Sequence, residues 1–221
     1  GNPKGVLLLG SIKPYDHDEI SHIEHLVAQL TIALDNALIH KEIENLSVTD
    51  PLTGVFNRRR FMEVVGDEFK GAMRYKYNMG IVMLDADDFK SINDTYGHQQ
   101  GDVVLMELSR LIKDKTRTTD IWARYGGEEF VGLITHSNAE GMRILAEKLR
   151  KSVEEHEFPG LKGKKVTVSI GVGCYPSEGI GDLEDLMKLA DDNLYKAKRS
   201  GKNKVVINND EEKLRLVGQG V

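Results

Sequence analysis

A pair of glycines between two runs of β-forming residues is the feature that most restricts the fold of this chain. Residues 121–135 read IWARYGGEEFVGLIT, and Gly126 and Gly127 separate the two runs. Glycine reaches positive φ without a steric penalty, and such pairs favour tight turns between antiparallel strands. We therefore expect a β-hairpin with strands near residues 121–125 and 128–134.

A second acidic segment lies about forty residues before this hairpin, where residues 84–94 read LDADDFKSIND. Asp85 follows an apolar strand expected at residues 80–84, and Glu128 begins the second hairpin strand. Carboxylates at neighbouring strand ends can share a hard cation such as Mg²⁺ together with substrate phosphates. The alternative is that both side chains are solvated loop acids.

Together these segments resemble the GGDEF family, the diguanylate cyclases, in the variant with Glu at the third signature position. The resemblance covers roughly residues 48–207. It implies an enzyme that condenses two GTP into cyclic di-GMP and two pyrophosphates with Mg²⁺ (or Mn²⁺). One alternative is an inactive GGDEF module that senses GTP or cyclic di-GMP. Another is a different purine cyclase of the palm fold, which the guanine-type motifs disfavour.

The resemblance assigns metal and catalytic roles to the two acidic segments. Asp85 and Glu128 are implied as metal ligands and catalytic residues, with help from the Ala86 carbonyl. Glu129 is implied as a further ligand or as a proton acceptor. We expect residues 87–88 (DD) to be a helix-start acid and a solvated side chain rather than ligands.

Asn93 and Asp102 are implied as the residues that recognise the base. Guanine presents N1–H beside its 2-amino group, and a carboxylate can accept from both, whereas adenine would leave that carboxylate unpaired. Asn93 can offer a donor and an acceptor to the rest of the purine edge. The alternative is that Asn93 caps a turn and Asp102 starts a helix.

The phosphates of the substrate need amides and cations. Phe89 and Lys90 follow the first acidic segment, where successive backbone N–H groups could form a phosphate nest. Lys198 and Lys202 match the family's triphosphate-binding pair, although the second member is more often Arg there. Lys keeps the charge but lacks the bidentate fork of Arg. Alternatively, this run is only a basic helix end favoured by the helix dipole.

Residues 117–120 (RTTD) form an RxxD motif six residues before Gly126. At this offset the motif resembles the family's product-inhibition site, in which Arg117 and Asp120 would hold the guanine of cyclic di-GMP. A local ion pair is the alternative. Lys148 lies where relatives often carry a second product-binding Arg.

The order of predicted elements indicates an α+β fold with helices packed on an antiparallel sheet. The resemblance makes this fold palm-like, as in nucleotidyl cyclases. Asp50-Pro51 favours a turn at the start of the domain, and Pro51 suits a first helical position. We expect further helices near residues 57–73, 101–115, 139–156 and 182–199, and further strands near residues 165–173 and 204–207.

The first 47 residues resemble the end of a GAF-like sensory domain that leads into a signalling helix. A short strand is expected at residues 5–11, and an amphipathic helix is expected from Asp18 to about Leu46. Its apolar residues alternate steps of four and three, as in a coiled coil. They are Ile23, Val27, Leu30, Leu34 and Ala37. The expected domains are therefore 1–47, a GGDEF domain at 48–207, and a polar tail at 208–221.

Partners follow from charge and from the symmetry of the product. A two-fold symmetric product made from one nucleotide per site requires two facing subunits, hence a homodimer. The formal net charge of −5 argues against nonspecific nucleic-acid binding. With no apolar run near 18 residues and no signal peptide, we expect a cytoplasmic protein without membrane contact by these residues, although an anchor elsewhere is left open. Cys174 and Trp122 are expected to be buried in strands.

Overall fold

The computed structural model describes residues 16–46 and 48–207, in two units divided between residues 47 and 48. The strand expected at residues 5–11 and the tail expected at residues 208–221 lie outside the described residues. The first unit contains helix α1, His17–Leu46, as predicted. Among the described residues, no helix combines the length and apolar character that a membrane span requires.

The second unit alternates strands and helices along the chain. In chain order its elements are β1 Phe56–Asn57, α2 Arg58–Tyr75, β2 Met79–Ala86, α3 Phe89–Tyr96, α4 His98–Lys115, β3 Ile121–Arg124, β4 Glu129–Thr135, α5 Ala139–Glu155, β5 Val168–Tyr175, α6 Leu183–Arg199 and β6 Val205–Ile207.

The strands form one six-stranded sheet in the order β1-β3-β4-β2-β5-β6. The four central strands, β3, β4, β2 and β5, pair antiparallel, whereas the outer pairs β1–β3 and β5–β6 are parallel. This sheet with flanking helices confirms the predicted α+β class. The sequence patterns did not predict β1, which has only two residues.

Both faces of the sheet are covered, and β2 shows how the side chains divide between them. Ile81 and Met83 pack in a cluster with residues of α2 and α6. Val82 and Leu84 pack in a second cluster with residues of α3, α4 and α5. Since successive strand residues point to opposite faces, Asp85 points to the same side as Ile81 and Met83, toward α6.

Two local signals explain where the first helix of the second unit begins. Asp50 Oδ1 accepts hydrogen bonds from Thr53 N (2.8 Å) and Thr53 Oγ1 (2.6 Å), so the segment after Asp50 is a turn. The expectation that Pro51 starts a helix was wrong. Helix α2 begins at Arg58 because the Asn57 side chain accepts from Arg60 N at 2.9 Å and caps it.

Helix α6 packs closely on β5. This close packing places Lys198, near the C-terminal end of α6, over the sheet beside Asp85. A Cβ at Gly171 would overlap the backbone of Ala190 and Leu194, and one at Gly173 would lie 2.7 Å from the Leu186 carbonyl. Glycine is therefore required by space at both positions.

The prediction of a single helix at residues 101–115 was incomplete, because the observed helix starts earlier and a second helix precedes it. Helix α4 begins at His98, and the unpredicted helix α3 precedes it. Gly97 separates the two helices with a φ of 85°, a backbone conformation that favours glycine.

Candidate active site

The buried carboxylate of Asp85, at the end of β2, is the centre of the candidate site. Asp85 is 5% exposed, and Lys198 Nζ of α6 lies 2.7 Å from its Oδ2. Burial raises the pKa of Asp85 to about 6, Lys198 opposes the rise, and the charges of Glu128 and Glu129 add to it. We call Asp85, Glu128, Glu129 and Lys198 the carboxylate cluster.

The hairpin brings Glu129 opposite Asp85. These two residues pair across β2 and β4, so their side chains share one face of the sheet. The predicted start of β4 at Glu128 was one residue early, because Glu128 lies in the turn before the strand. Its carbonyl nevertheless accepts from Ala86 N at 3.4 Å, which holds the turn against β2.

The Gly-Gly turn forms as predicted, but for another physical reason. The positive-φ glycines of the described residues include neither Gly126 nor Gly127. A Cβ at Gly126 would instead overlap Glu129 Oε2, whereas a Cβ at Gly127 would meet nothing within 4 Å. Gly126 therefore leaves room for a carboxylate of the cluster.

The cluster has the donor chemistry of a hard divalent cation. Asp85, Glu128 and the Ala86 carbonyl would offer oxygen ligands, and Mg²⁺ commonly takes one or two carboxylates plus substrate phosphates. Lys198 already supplies a positive charge beside Asp85. Within residues 16–46 and 48–207, no group of three or more His, Cys, Asp or Glu residues is arranged to hold a metal ion.

Asp87 holds the loop beside the cluster, a role that the sequence reasoning missed. It is 7% exposed and accepts from Thr167 Oγ1 (2.7 Å), Ser169 Oγ (2.6 Å) and Asn203 N (3.0 Å). The expectation of a solvated or helix-start acid was therefore wrong for Asp87. The sequence did contain a signal for this role, because the hydroxyl residues Thr167 and Ser169 alternate with apolar residues in the run 166–174.

Lys202, the second lysine of the predicted phosphate-binding pair, lies in the loop after α6 and is held there by its contact with Asp88. Lys202 and Asn203 have φ values of 59° and 46°, and Lys202 Nζ lies 2.5 Å from Asp88 Oδ1. The Asn203 side chain also bonds Glu154 (2.7 Å) and Arg150 (2.8 Å) of α5. Lys198 thus contacts Asp85 near the end of β2, and Lys202 contacts Asp88 just after that strand.

The start of α3 lies beside the same segment. Asp88 occupies the capping position without a side-chain hydrogen bond to the helix. The first backbone bonds to Asp88 O come from Ser91 N (2.8 Å) and Ile92 N (3.3 Å). The preceding amides, those of Phe89 and Lys90, are not used by the first turn of the helix.

Asn93 and Asp102 lie where α3 meets α4. Asn93 Oδ1 is buried without a hydrogen-bond partner among the described residues, and Asp102 is exposed. A Cβ at Gly101 would overlap Asn93 Oδ1, so the small residue before Asp102 makes room for the Asn93 amide. An unpaired amide oxygen is suited to a ligand that brings a donor.

The RxxD motif is apart from the carboxylate cluster in the fold, in the turn between α4 and β3. Asp120 Oδ2 accepts from Arg117 N at 2.8 Å, and within the described chain no ion pair joins the Arg117 guanidinium to Asp120. Lys148 Nζ donates to Lys115 O at 3.0 Å, near the end of α4. The three predicted residues therefore belong to neighbouring parts of the surface.

Arg124 connects the hairpin turn to the start of the domain, a link the sequence reasoning also missed. Its Nε and Nη2 donate to Gly127 O at 3.0 and 2.7 Å. Its Nη1 lies 3.3 Å from Asp50 Oδ2, and both side chains are largely buried. The turn that carries Glu128 is thereby tied to the turn that begins the second unit.

Comparisons with known proteins find relatives and solved structures that share the sequence and the fold. Diguanylate cyclase A of Treponema denticola is 35% identical over 212 residues, which are 92% of this chain and 56% of that protein. The coiled coil and GGDEF domain of DgcB from Caulobacter crescentus, in complex with c-di-GMP, superimposes with a TM-score of 0.69 at 27% identity, covering 84% of this chain and 99% of that chain. The active GGEEF domain of a diguanylate cyclase from Vibrio cholerae gives 0.66 at 33% identity, with coverages of 69% and 97%.

The family relationship follows from these matches and from a family model. This chain spans just over half the length of the Treponema relative. The sequence model of the family described as diguanylate cyclase, GGDEF domain, matches residues 47–204, which contain every residue of the candidate site. The chain therefore belongs to the GGDEF-domain diguanylate cyclase family.

Proposed function

We propose that this chain is a diguanylate cyclase that condenses two GTP into cyclic di-GMP and two pyrophosphates in the cytoplasm. The observation that carries this proposal is the carboxylate cluster, in which buried Asp85 lies opposite Glu129 and beside Lys198. Acidic oxygens next to a fixed cation suit phosphoryl transfer, in which charge must be stabilised at the transferred phosphorus.

Binding of the triphosphate rests on groups that converge on the acidic segment. Lys198 and Lys202 lie beside Asp85 and Asp88, and they can exchange these carboxylates for phosphate oxygens. The amides of Phe89 and Lys90 are proposed to hold the terminal phosphates. Guanine is proposed to bind Asn93 and Asp102, where the amide oxygen of Asn93 needs a donor.

The divalent cation is proposed to bind Asp85, Glu128 and the Ala86 carbonyl. When bound, it supplies charge neutralisation at the phosphates and favours deprotonation of the attacking hydroxyl. Mg²⁺ or Mn²⁺ would suit this oxygen-rich ligand set.

The reaction is proposed to need two subunits. The 3′-hydroxyl oxygen of each GTP forms a bond to the α-phosphorus of the other, and the bond to pyrophosphate breaks. Glu129 is the proposed acceptor of the hydroxyl proton. Each site holds one nucleotide, so a homodimer with facing sites positions both reactants, and that positioning contributes much of the rate.

Product inhibition is proposed at the RxxD turn. Arg117 and Asp120 would hold guanine of cyclic di-GMP, since the Arg117 guanidinium lies in no ion pair with Asp120 among the described residues. Lys148, fixed near the end of α4, would add a charge without the fork of Arg.

The direct test is a turnover assay of the 221-residue chain with GTP and Mg²⁺, read by product mass. Cyclic di-GMP should form, and Glu128→Gln should abolish its formation while the circular dichroism spectrum stays unchanged. Glu140→Gln, at an exposed position of α5, is the matched control. Near-normal turnover of Glu128→Gln at saturating Mg²⁺ would disprove the metal assignment. Binding of GTP without turnover would favour the sensor alternative.

A further inference from the structure

Asn203, in the loop between α6 and β6, is held by two side chains of α5. Its Oδ1 accepts from Arg150 Nη1 at 2.8 Å, and its Nδ2 donates to Glu154 Oε1 at 2.7 Å. Arg150 Nη1 also lies 2.9 Å from Glu154 Oε2, which closes a ring of three side chains. We call Arg150, Glu154 and Asn203 the α5 clamp.

The α5 clamp requires a side chain at position 203 that both donates and accepts. A guanidinium only donates and a carboxylate only accepts, so the group between them must accept from one and donate to the other. The carboxamide of Asn203 does both. The Arg150 side chain is 13% exposed, and its Nε also lies 2.9 Å from Glu147 Oε2. A partner lost from this largely buried cation is therefore not readily replaced by water.

The α5 clamp holds a loop whose backbone takes an uncommon conformation. Gly201, Lys202 and Asn203 have φ values of 112°, 59° and 46°. Two consecutive non-glycine residues at positive φ persist only where the surrounding contacts determine them. Asn203 N donates to Asp87 Oδ2 at 3.0 Å, and Lys202 N donates to Ala197 O at 3.1 Å. The clamp adds α5 to the elements that fix the backbone of Lys202.

The contact between Lys202 and Asp88 cannot do the same once a substrate is bound. Lys202 Nζ lies 2.5 Å from Asp88 Oδ1, and the proposed function requires Lys202 to exchange this carboxylate for a phosphate. After that exchange, the loop depends on its contacts with Asp87 and with the α5 clamp. A lysine is a point charge on a flexible stem, so the position of its backbone decides which phosphate oxygens its charge can reach.

From these contacts we propose that Arg150 and Glu154 are positioning residues for the triphosphate of the substrate. They hold Asn203, and through its backbone they hold Lys202 where phosphate binding needs it. This inference rests on the proposed function, and it assigns to α5 a role in substrate binding. A contact that only stabilised the fold would predict lower stability without a selective loss of triphosphate binding.

The test exchanges the donor and the acceptor within the α5 clamp. Asn203→Asp sets a carboxylate against the carboxylate of Glu154, and Glu154→Gln sets an amide donor against Arg150 Nη1 or Asn203 Nδ2. The two substitutions together restore a donor opposite each acceptor and leave the net charge of the clamp unchanged.

Dissociation constants of the 221-residue protein would be measured with Mg²⁺ for two nucleotides. One is GMPCPP, the GTP analogue whose α,β-methylene group prevents the loss of pyrophosphate, so its binding is measured without turnover. The other is GMP, which lacks the terminal phosphates. A loss confined to GMPCPP reports on the groups that hold these phosphates.

Each single variant should weaken GMPCPP binding by about tenfold and GMP binding by less than about twofold. The double variant should recover GMPCPP binding to within about threefold of the unchanged protein. Lys202→Met should also cost about tenfold, and adding Asn203→Asp to it should cost nothing further, because the clamp acts through Lys202. Glu140→Gln, in the exposed pair of α5 with Arg143, is the matched control and should change neither constant.

Normal GMPCPP binding in both single variants would overturn the inference. An equal loss of GMPCPP and GMP binding would also overturn it, because a general disturbance of the fold acts on both. If Asn203→Asp lowers the folded fraction, Asn203→Gly replaces it, since glycine keeps the positive φ and the N–H to Asp87 but lacks both clamp bonds. It should show the same selective loss. An unchanged protein that does not bind GMPCPP would instead refute the proposed function, and this inference with it.

Discussion

At Gly126 the missing side chain gives space to the Glu129 carboxylate, whereas Gly127 faces open space. Gly126→Ala should therefore displace Glu129 and lower cyclase turnover by roughly 10- to 100-fold, since small misplacements of catalytic groups have effects of this size. Gly127→Ala is the matched control and should keep nearly normal turnover. Initial rates of both variants check this, and equal rates would contradict the role given to Glu129.

Asp102 follows Gly101, the glycine that makes room for the Asn93 amide, and the Asp102 side chain is exposed on the surface of α4. Asp102→Ser should remove the acceptor pair for guanine, so that ATP competes with GTP. Discrimination should fall by about 1–3 kcal/mol for the hydrogen bonds lost. Competition between GTP and ATP, read by product mass, checks it, and an unchanged preference would place the base elsewhere.

The loop after α6 is held in part by the Asp87 carboxylate, which accepts from Asn203 N. Asp87→Asn replaces an acceptor oxygen by a donor, so bonds from Thr167, Ser169 or Asn203 N are lost. Unfolding should become easier by about 1–3 kcal/mol. Because the same loop carries Lys202, KM for GTP should rise more than kcat falls.

The exposed acid of α2 at Asp67 provides the control, Asp67→Asn, which should change neither stability nor KM. Denaturant unfolding and steady-state kinetics measure both effects. A purely structural role would lower stability with an unchanged KM, and that result would remove the link between Asp87 and phosphate binding.

The turn between α4 and β3 is the element expected to provide feedback. Arg117→Ala should raise steady-state activity by weakening inhibition by cyclic di-GMP, without changing the initial rate of product-free enzyme. Arg110→Ala, an exposed residue of α4 paired with Glu107, is the control. Equal inhibition of Arg117→Ala and the unchanged protein would leave this motif without a regulatory role.

At the scale of the whole molecule, α1 exposes apolar side chains both within the predicted coiled-coil-like stripe and outside it. Leu30 in the stripe is 59% exposed, and Ile32 on another side of the helix is 62% exposed. We expect a concentration-dependent dimer and an activity that rises faster than linearly with enzyme, because burying the stripe removes apolar surface from water. A chain beginning at Val48 should be mainly monomeric and less active.

A matched pair of variants separates the stripe from general surface effects. Leu30→Glu would bury unpaired charge in the dimer and should weaken it by at least about tenfold, whereas Ile32→Glu should not. Sedimentation with parallel activity measurements checks both. If the 221-residue chain were monomeric at high micromolar concentration and fully active, the dimer mechanism would be contradicted.

Local patterns by themselves determined most of the elements. The long helix, the hairpin, the buried strand that leads to Asp85 and the α+β class all follow from hydrophobic period and turn residues, which act over a few neighbouring positions. The family resemblance, rather than spacing alone, implied that Asp85, Glu128 and the two lysines form one site, and the structure brings Lys198 Nζ to 2.7 Å from Asp85 Oδ2. Burial of Trp122 and Cys174 in strands was also confirmed.

Only the tertiary structure decided features that depend on residues distant in sequence. It showed Asp87 as a hydrogen-bonded centre joining residues 167, 169 and 203, and Arg124 as the link between Gly127 and Asp50. It also replaced positive φ by close approach as the reason for Gly126. A sequence pattern reports the local backbone preference, whereas the space beside a glycine and the partners of a buried carboxylate are set by elements that meet only when the sheet is assembled.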